Sequence, residues 1–158
     1  MQDVEIRSVV VSLTDMELLM PQATIAEIVS YSDPEPVPGA AEWLLGTVLW
    51  HGWQVPLISF ARLIDQTQTE ETGAGVRICI TKSLINNEKM PYIGILAQGH
   101  PRLTTINEDN FTEISTEGNP IGVAGLATIN DREVLIPDLD RLGHLVAHAA
   151  FGALPLTS

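Results

Sequence analysis

Residues 46–58 read Gly-Thr-Val-Leu-Trp-His-Gly-Trp-Gln-Val-Pro-Leu-Ile, two apolar runs hinged on His51-Gly52. Glycine enters positive φ without steric cost, so a two-residue turn there folds the runs into an antiparallel hairpin. The register follows: Trp50 faces Trp53, Leu49 faces Gln54, Val48 faces Val55 and Thr47 faces Pro56. Because side chains alternate, Val48, Trp50, Trp53, Val55 and Leu57 share one face. Thr47, Leu49, Gln54, Pro56 and Ile58 share the other. The first face is wholly apolar and is expected to meet a core. Trp50 and Trp53 then form a cross-strand aromatic pair beside the turn. Two readings stay open: the pair caps the end of a barrel, or it offers aromatic surface to a partner.

Similar punctuation runs through the rest of the chain. Short apolar runs, several rich in Val and Ile, are separated by Gly, Pro, Asn and Asp. That pattern predicts many short strands and an all-β protein. Strands are expected at 7–13, 17–21, 46–50, 53–58, 76–82, 90–97, 125–129 and 132–136. Three helical segments are also predicted. In 21–31, Ile25, Ile28 and Val29 have i, i+3, i+4 spacing. A short helical turn is expected at 40–45, after the breaker Pro36-Val37-Pro38-Gly39. A C-terminal helix opens at Asp138, which caps the first turn and complements the positive end of the helix dipole.

Residues 65–75 are polar and lack an apolar anchor, so they read as a linker. The expectation is one domain over 1–158, with a first lobe at about 1–64 and a second at about 76–158. Terminal segments are allowed to cross between lobes, because each half alone is small for a core.

Composition narrows the function. Lys plus Arg number 8 and Asp plus Glu number 20, giving a formal net charge of −12. Such a chain lacks the basic face that a nucleic-acid backbone or an anionic membrane surface requires. No nucleic-acid partner and no membrane insertion are therefore expected. No apolar run approaches the roughly 18 to 20 residues of a spanning helix. The segment Met1-Gln2-Asp3-Val4-Glu5 has no basic stretch of the signal-peptide kind. Cys79 is the single cysteine and has no internal partner. These features predict a soluble protein of the cytoplasm.

No pattern adds up to catalysis. The glycine-rich segments 73–75 and 118–125 lack the strand–GxGxxG–helix frame of a phosphate cradle and read as turns. His144 and His148 have i, i+4 spacing, but a metal site needs a third ligand from elsewhere. Cys79 lies in an apolar strand, where a thiol is inert packing. Ser59, Ser83 and Ser115 have no nucleophile elbow around them. Glu70-Glu71, Asp33 and Glu35 read as solvated loops. The expectation is a protein that is not an enzyme and that holds no cofactor and no metal. The alternative is a small-molecule or metal-binding regulatory domain that uses a groove between the lobes.

The order of several motifs resembles the CheW-like chemotaxis coupling proteins. They are Pro36-Val37-Pro38-Gly39-Ala40, the run Trp43-Leu44-Leu45-Gly46-Thr47-Val48-Leu49-Trp50-His51-Gly52, and Val55-Pro56-Leu57-Ile58-Ser59-Phe60. Ile25-Ala26-Glu27-Ile28 resembles the family's Val-x-Glu-Ile segment. Ile93-Gly94-Ile95-Leu96 resembles its Gly-Ile-Val-Val strand. The segment 122–129 with Val134-Leu135-Ile136-Pro137-Asp138-Leu139 resembles its closing pattern. The likeness runs from about Val9 to Leu142.

The resemblance implies two SH3-like, five-stranded β-barrel lobes sharing a core, with short helices and a C-terminal helix. It implies a non-catalytic adaptor that couples chemoreceptors to a CheA-type histidine kinase in bacterial chemotaxis or twitching motility. The implied partners are the kinase's regulatory domain, the cytoplasmic tip of a chemoreceptor and other CheW-like proteins. Carried over residue by residue, the contact positions are Ile25, Glu27, Val37, Gly46, Leu49, His51 and Gly52, with Gly46 and Gly52 acting through backbone shape. This sequence departs from the family at three of its motifs, one of them Ala97-Gln98-Gly99-His100, where the family has Val-Asp-x-Val. His51 stands where the family has an arginine, with fewer donors and no fixed charge. Ser59 stands where the family has an aspartate. These departures mark a divergent member, by analogy an accessory adaptor of a type IV pilus chemosensory system.

Overall fold

A computed structural model describes residues 5–65, 70–83, 90–115 and 117–152. Its strands are β1 (Ile6–Leu13), β2 (Met16–Pro21), β3 (Ile25–Ser30), β4 (Leu44–Trp50), β5 (Trp53–Ile58), β6 (Arg77–Lys82), β7 (Tyr92–Ala97), β8 (Arg102–Ile106), β9 (Phe111–Ser115), β10 (Val123–Ile129) and β11 (Arg132–Pro137). Helix α1 covers Phe60–Ile64 and α2 covers Leu139–Ala147, continuing into a π-helical turn at His148–Gly152.

The strands form a six-stranded sheet, in the order β8-β1-β2-β11-β10-β9, and a five-stranded sheet, in the order β3-β6-β7-β5-β4. Chain order forces the larger sheet to roll. Strands β8 and β9 are its opposite edges, yet only four residues, 107–110, join them. A flat sheet of that size is about 24 Å wide, and the connection reaches at most roughly 18 Å. The turn is held by its own asparagines. Asn107 Oδ1 accepts from the backbone N–H of Asp109 (2.9 Å) and Asn110 (3.2 Å), and Asn110 Oδ1 accepts from Asn107 N–H (2.9 Å). In the smaller sheet, Glu35, in the β3–β4 connection, exchanges two backbone hydrogen bonds of 2.8 Å with Thr47 of β4. The connection thus covers part of β4's outer edge, which leaves less open edge for stray pairing.

The continuous apolar runs are strands buried on both faces. Val9, Val11 and Leu13 of β1 and Leu18 and Met20 of β2 enter a core shared by the two sheets. Their neighbours Val10 and Leu19 point into a core belonging to the six-stranded sheet alone. Ile93, Ile95 and Ala97 of β7 and Cys79 of β6 enter the shared core from the other side. Ile78, Ile80 and Leu96 turn into the five-stranded sheet's own core. Helix α2 seals the shared core with Leu142, Val146 and the following Ala150, one helical face. Asp138 caps it as the sequence predicts, accepting from Arg141 N–H at 3.0 Å.

Several expectations need correction. Residues 21–31 are not helical: a 3₁₀ turn at Gln22–Thr24 leads into β3. A bulge between Ile25 and Glu27 inserts one residue. Ile25 and Ile28 therefore reach the same core three positions apart, which imitates helical spacing. Residues 40–45 form a turn closed by Leu44 N–H to Ala41 O (3.0 Å), and β4 already begins at Leu44. Strands β8 and β9 and helix α1 were not expected. The first two are polar edge strands with little apolar alternation. The sheets also do not divide at 65–75. β1 and β2 join β8–β11, whereas β6 and β7 join β3–β5, and the larger sheet has six strands rather than five. Gly73, Gly75, Gly118 and Gly122 all have positive φ in turns, as expected, whereas Val123–Gly125 already belong to β10.

Candidate functional site

The hairpin of β4 and β5 has the predicted register, from Trp50 opposite Trp53 to Thr47 opposite Pro56. His51 (φ +47°) and Gly52 (φ +81°) form the turn, and two positive φ values in succession match the right-handed twist of the flanking strands. Val48, Val55 and Leu57 fill the core of the five-stranded sheet. Near the turn that face emerges at the surface: Trp53 is 41% exposed. The two tryptophans do not stack on each other. Both present rings edge-on to Tyr92 of β7, with centroids 4.8 Å from Trp50 and 6.3 Å from Trp53. No local sequence signal ties Tyr92 to the hairpin. Its pairing partner is set by the parallel contact of β5 with β7, which joins distant segments.

Glu27 links the hairpin to the opposite edge of the sheet. Its Oε1 accepts from Trp50 Nε1 at 2.9 Å and lies 3.3 Å from His51 Nε2. The His51 ring also packs edge-on against Trp50, centroids 4.4 Å apart. Both Glu27 and His51 are exposed. On the outer face of the hairpin, Leu49 is 72% exposed beside Gln54. Glu27, Leu49, His51 and Gly52, which the sequence singles out, therefore gather at one solvent-facing end.

The other three singled-out residues have structural surroundings. Ile25 and Val37 are half-buried against the shared core. Gly46 is buried, with φ +144°, and a Cβ there would lie 2.3 Å from the carbonyl oxygen of Glu35. It is the position that lets the β3–β4 connection pair with β4.

Ser59 and Glu70 form a second polar cluster. Ser59 caps α1, its Oγ accepting from Arg62 N–H at 3.3 Å, and donates to Glu70 Oε1 at 2.6 Å. Glu70 Oε2 accepts from Thr14 N–H at 3.2 Å, in the β1–β2 turn. Glu70 is thus not the free, solvated carboxylate expected of a linker. Its carboxylate lies against the serine that replaces the expected aspartate.

His144 Nε2 lies 3.9 Å from Asp140 Oδ1 on α2. Among the described residues, no three His, Cys, Asp or Glu side chains are grouped so as to hold a metal. No helix among them is long and apolar enough to cross a membrane.

A sequence model of the CheW-like domain matches residues 7–146. None of the curated proteins matches the sequence. Among solved structures, the chain is similar to the scaffolding protein TtCheW from Thermoanaerobacter tengcongensis, with a TM-score of 0.71 and 18% identity over 87% of each chain. At that identity the likeness carries the fold, and the match over 7–146 carries the family. The chain belongs to the CheW-like domain family.

Proposed function

We propose that this protein is a non-catalytic adaptor of bacterial chemosensory signalling. Membership of the CheW-like family supports the general role, and the relative TtCheW is itself described as a scaffolding protein. The observation that carries the reading is the hairpin end. Leu49 stands exposed on one face of the hairpin and Trp53 on the other, flanking the Glu27–Trp50–His51 network at the turn: apolar anchors beside an oriented polar rim. The partners we propose are the regulatory domain of a CheA-type histidine kinase, the cytoplasmic tip of a chemoreceptor and other CheW-like proteins, met in the cytoplasm. Individual contacts can be modest, because an array multiplies weak contacts through effective concentration. With His51 in place of the family's arginine, the role we favour is that of an accessory adaptor in a type IV pilus chemosensory system.

A pull-down from a bacterial lysate, read by mass spectrometry, tests this. Gly52→Asp is the control bait: aspartate tolerates positive φ, and no atom lies within 4 Å of the added Cβ. We expect the native chain to recover a CheA-type kinase or a chemoreceptor, and Gly52→Asp to lose it. Recovery of neither by a folded bait overturns the adaptor reading. Equal recovery by both baits removes the hairpin from the contact.

A further inference from the structure

Although the chain has 20 acidic and only 8 basic residues, Arg7, Arg102 and Arg132 line two adjoining hollows at one end of the six-stranded sheet. The hollows share Leu103 and Thr104. The one beside Arg102 and Arg132 has a volume of about 240 Å³. Its floor is Val10, Ile129 and Val134, buried members of that sheet's own core. On its rim, Leu103 is 72% exposed.

The charges here are already partly matched. Glu17, whose side chain is only 14% exposed, takes Arg102 on Oε2 and Arg132 on Oε1, the latter at 2.8 Å. Among the charged side chains that line this hollow, two guanidinium groups stand against one carboxylate. Each guanidinium carries five N–H donors. Both arginine side chains remain about half exposed, at 51% and 55%. Cross-strand bonding to Glu17 accounts for the inner donors. It accounts neither for the outward ones nor for a bare leucine beside them.

We propose that this end of the sheet is a second docking site, which binds an acidic, extended segment of a partner protein. Arg102 and Arg132 would receive a partner carboxylate, with the forked geometry that guanidinium favours. Leu103 and the apolar floor would receive the neighbouring aliphatic side chain. The charge of the whole molecule supports this occupant: an acidic segment is repelled by most of the surface and attracted to this end. The site belongs to the sheet that does not carry the hairpin, so it is independent of the adaptor reading of Leu49 and His51.

Fluorescence anisotropy of the full chain with a labelled peptide, Gly-Asp-Leu-Asp-Val-Gly, tests the proposal. Its counterpart has both aspartates replaced by asparagine. The acidic peptide should bind at least about tenfold more tightly than the amide peptide, and added salt should weaken it. Arg132→Gln and Leu103→Ser should each reduce its affinity by at least roughly threefold. Leu103→Ser removes an exposed side chain, so it tests the site even if Arg132→Gln is poorly folded. Absence of binding, equal binding of the two peptides, or binding untouched by Leu103→Ser would overturn the proposal.

Discussion

His51 holds the turn at φ +47°, touches Trp50 with its ring and Glu27 with Nε2, and keeps most of its surface in water. Histidine and alanine both carry a Cβ, so the positive φ burdens them nearly alike and the substitution removes only exposed contacts. His51→Ala should therefore lower the melting temperature by only a few degrees while weakening recovery of the kinase or receptor. Calorimetry beside the pull-down checks both, and unfolding at room temperature would make His51 a structural residue. Cys79 behaves in the opposite way. It is fully buried in the core shared by the two sheets, and burial pushes its thiol from an ordinary 9.0 up to about 12. The native state keeps this proton where the unfolded chain releases it. Stability from this group is fully present below pH 9 and is lost as pH rises toward 12, at up to about 1.4 kcal/mol per pH unit. Denaturant titrations should show a shallower alkaline decline in Cys79→Ala than in the native chain, although the variant starts less stable.

At the scale of the elements, two glycines in one hairpin do different work. A Cβ on Gly46 meets the Glu35 carbonyl at 2.3 Å, whereas a Cβ on Gly52 meets nothing within 4 Å. Gly46→Ala should destabilise by roughly 2 to 4 kcal/mol, the upper range for single substitutions. Gly52→Ala should cost only about 1 kcal/mol, from φ alone. Urea unfolding of both variants decides it, and equal costs would mean that the Glu35–Thr47 bridge yields easily. The hairpin was legible because alternation and a Gly turn fix its register locally. β3 was not, because its bulge turns a strand's alternation into the three-residue spacing of a helix. β8 and β9 were hidden by their polarity: edge strands with one neighbour each need little apolar surface.

For the molecule as a whole, Glu70 is a tie between the two sheets. It joins Ser59, at the end of the five-stranded sheet, to Thr14, in the six-stranded one. Nearby, Gln98 N–H at the end of β7 donates to Ser12 O of β1 at 2.8 Å. Glu70→Ala should cost about 1 to 2 kcal/mol, since a half-buried hydrogen-bonded carboxylate is removed. Combined with Ser59→Ala the losses should be clearly less than additive. Additive losses in a double-mutant cycle would show that the two residues act separately.

The sequence by itself determined the all-β class, eight of the strands in outline, the cap of α2 and the hairpin with its register, since alternation, turn glycines and capping side chains act over a few residues; that the hairpin's tip is exposed was decided by the tertiary structure. It also placed Glu27, Leu49, His51 and Gly52 among the candidates, through family resemblance. Only the tertiary structure decided which strands share a sheet, that β1 and β2 leave the N-terminal half to pair with β8 and β11, and that Tyr92 lies against both tryptophans. It also decided that Glu70 is a tie and that Arg102 and Arg132 converge on Glu17. Those are contacts between residues far apart in the chain. Their geometry is set by how two doubly buried sheets satisfy one shared core, which local periodicity does not encode.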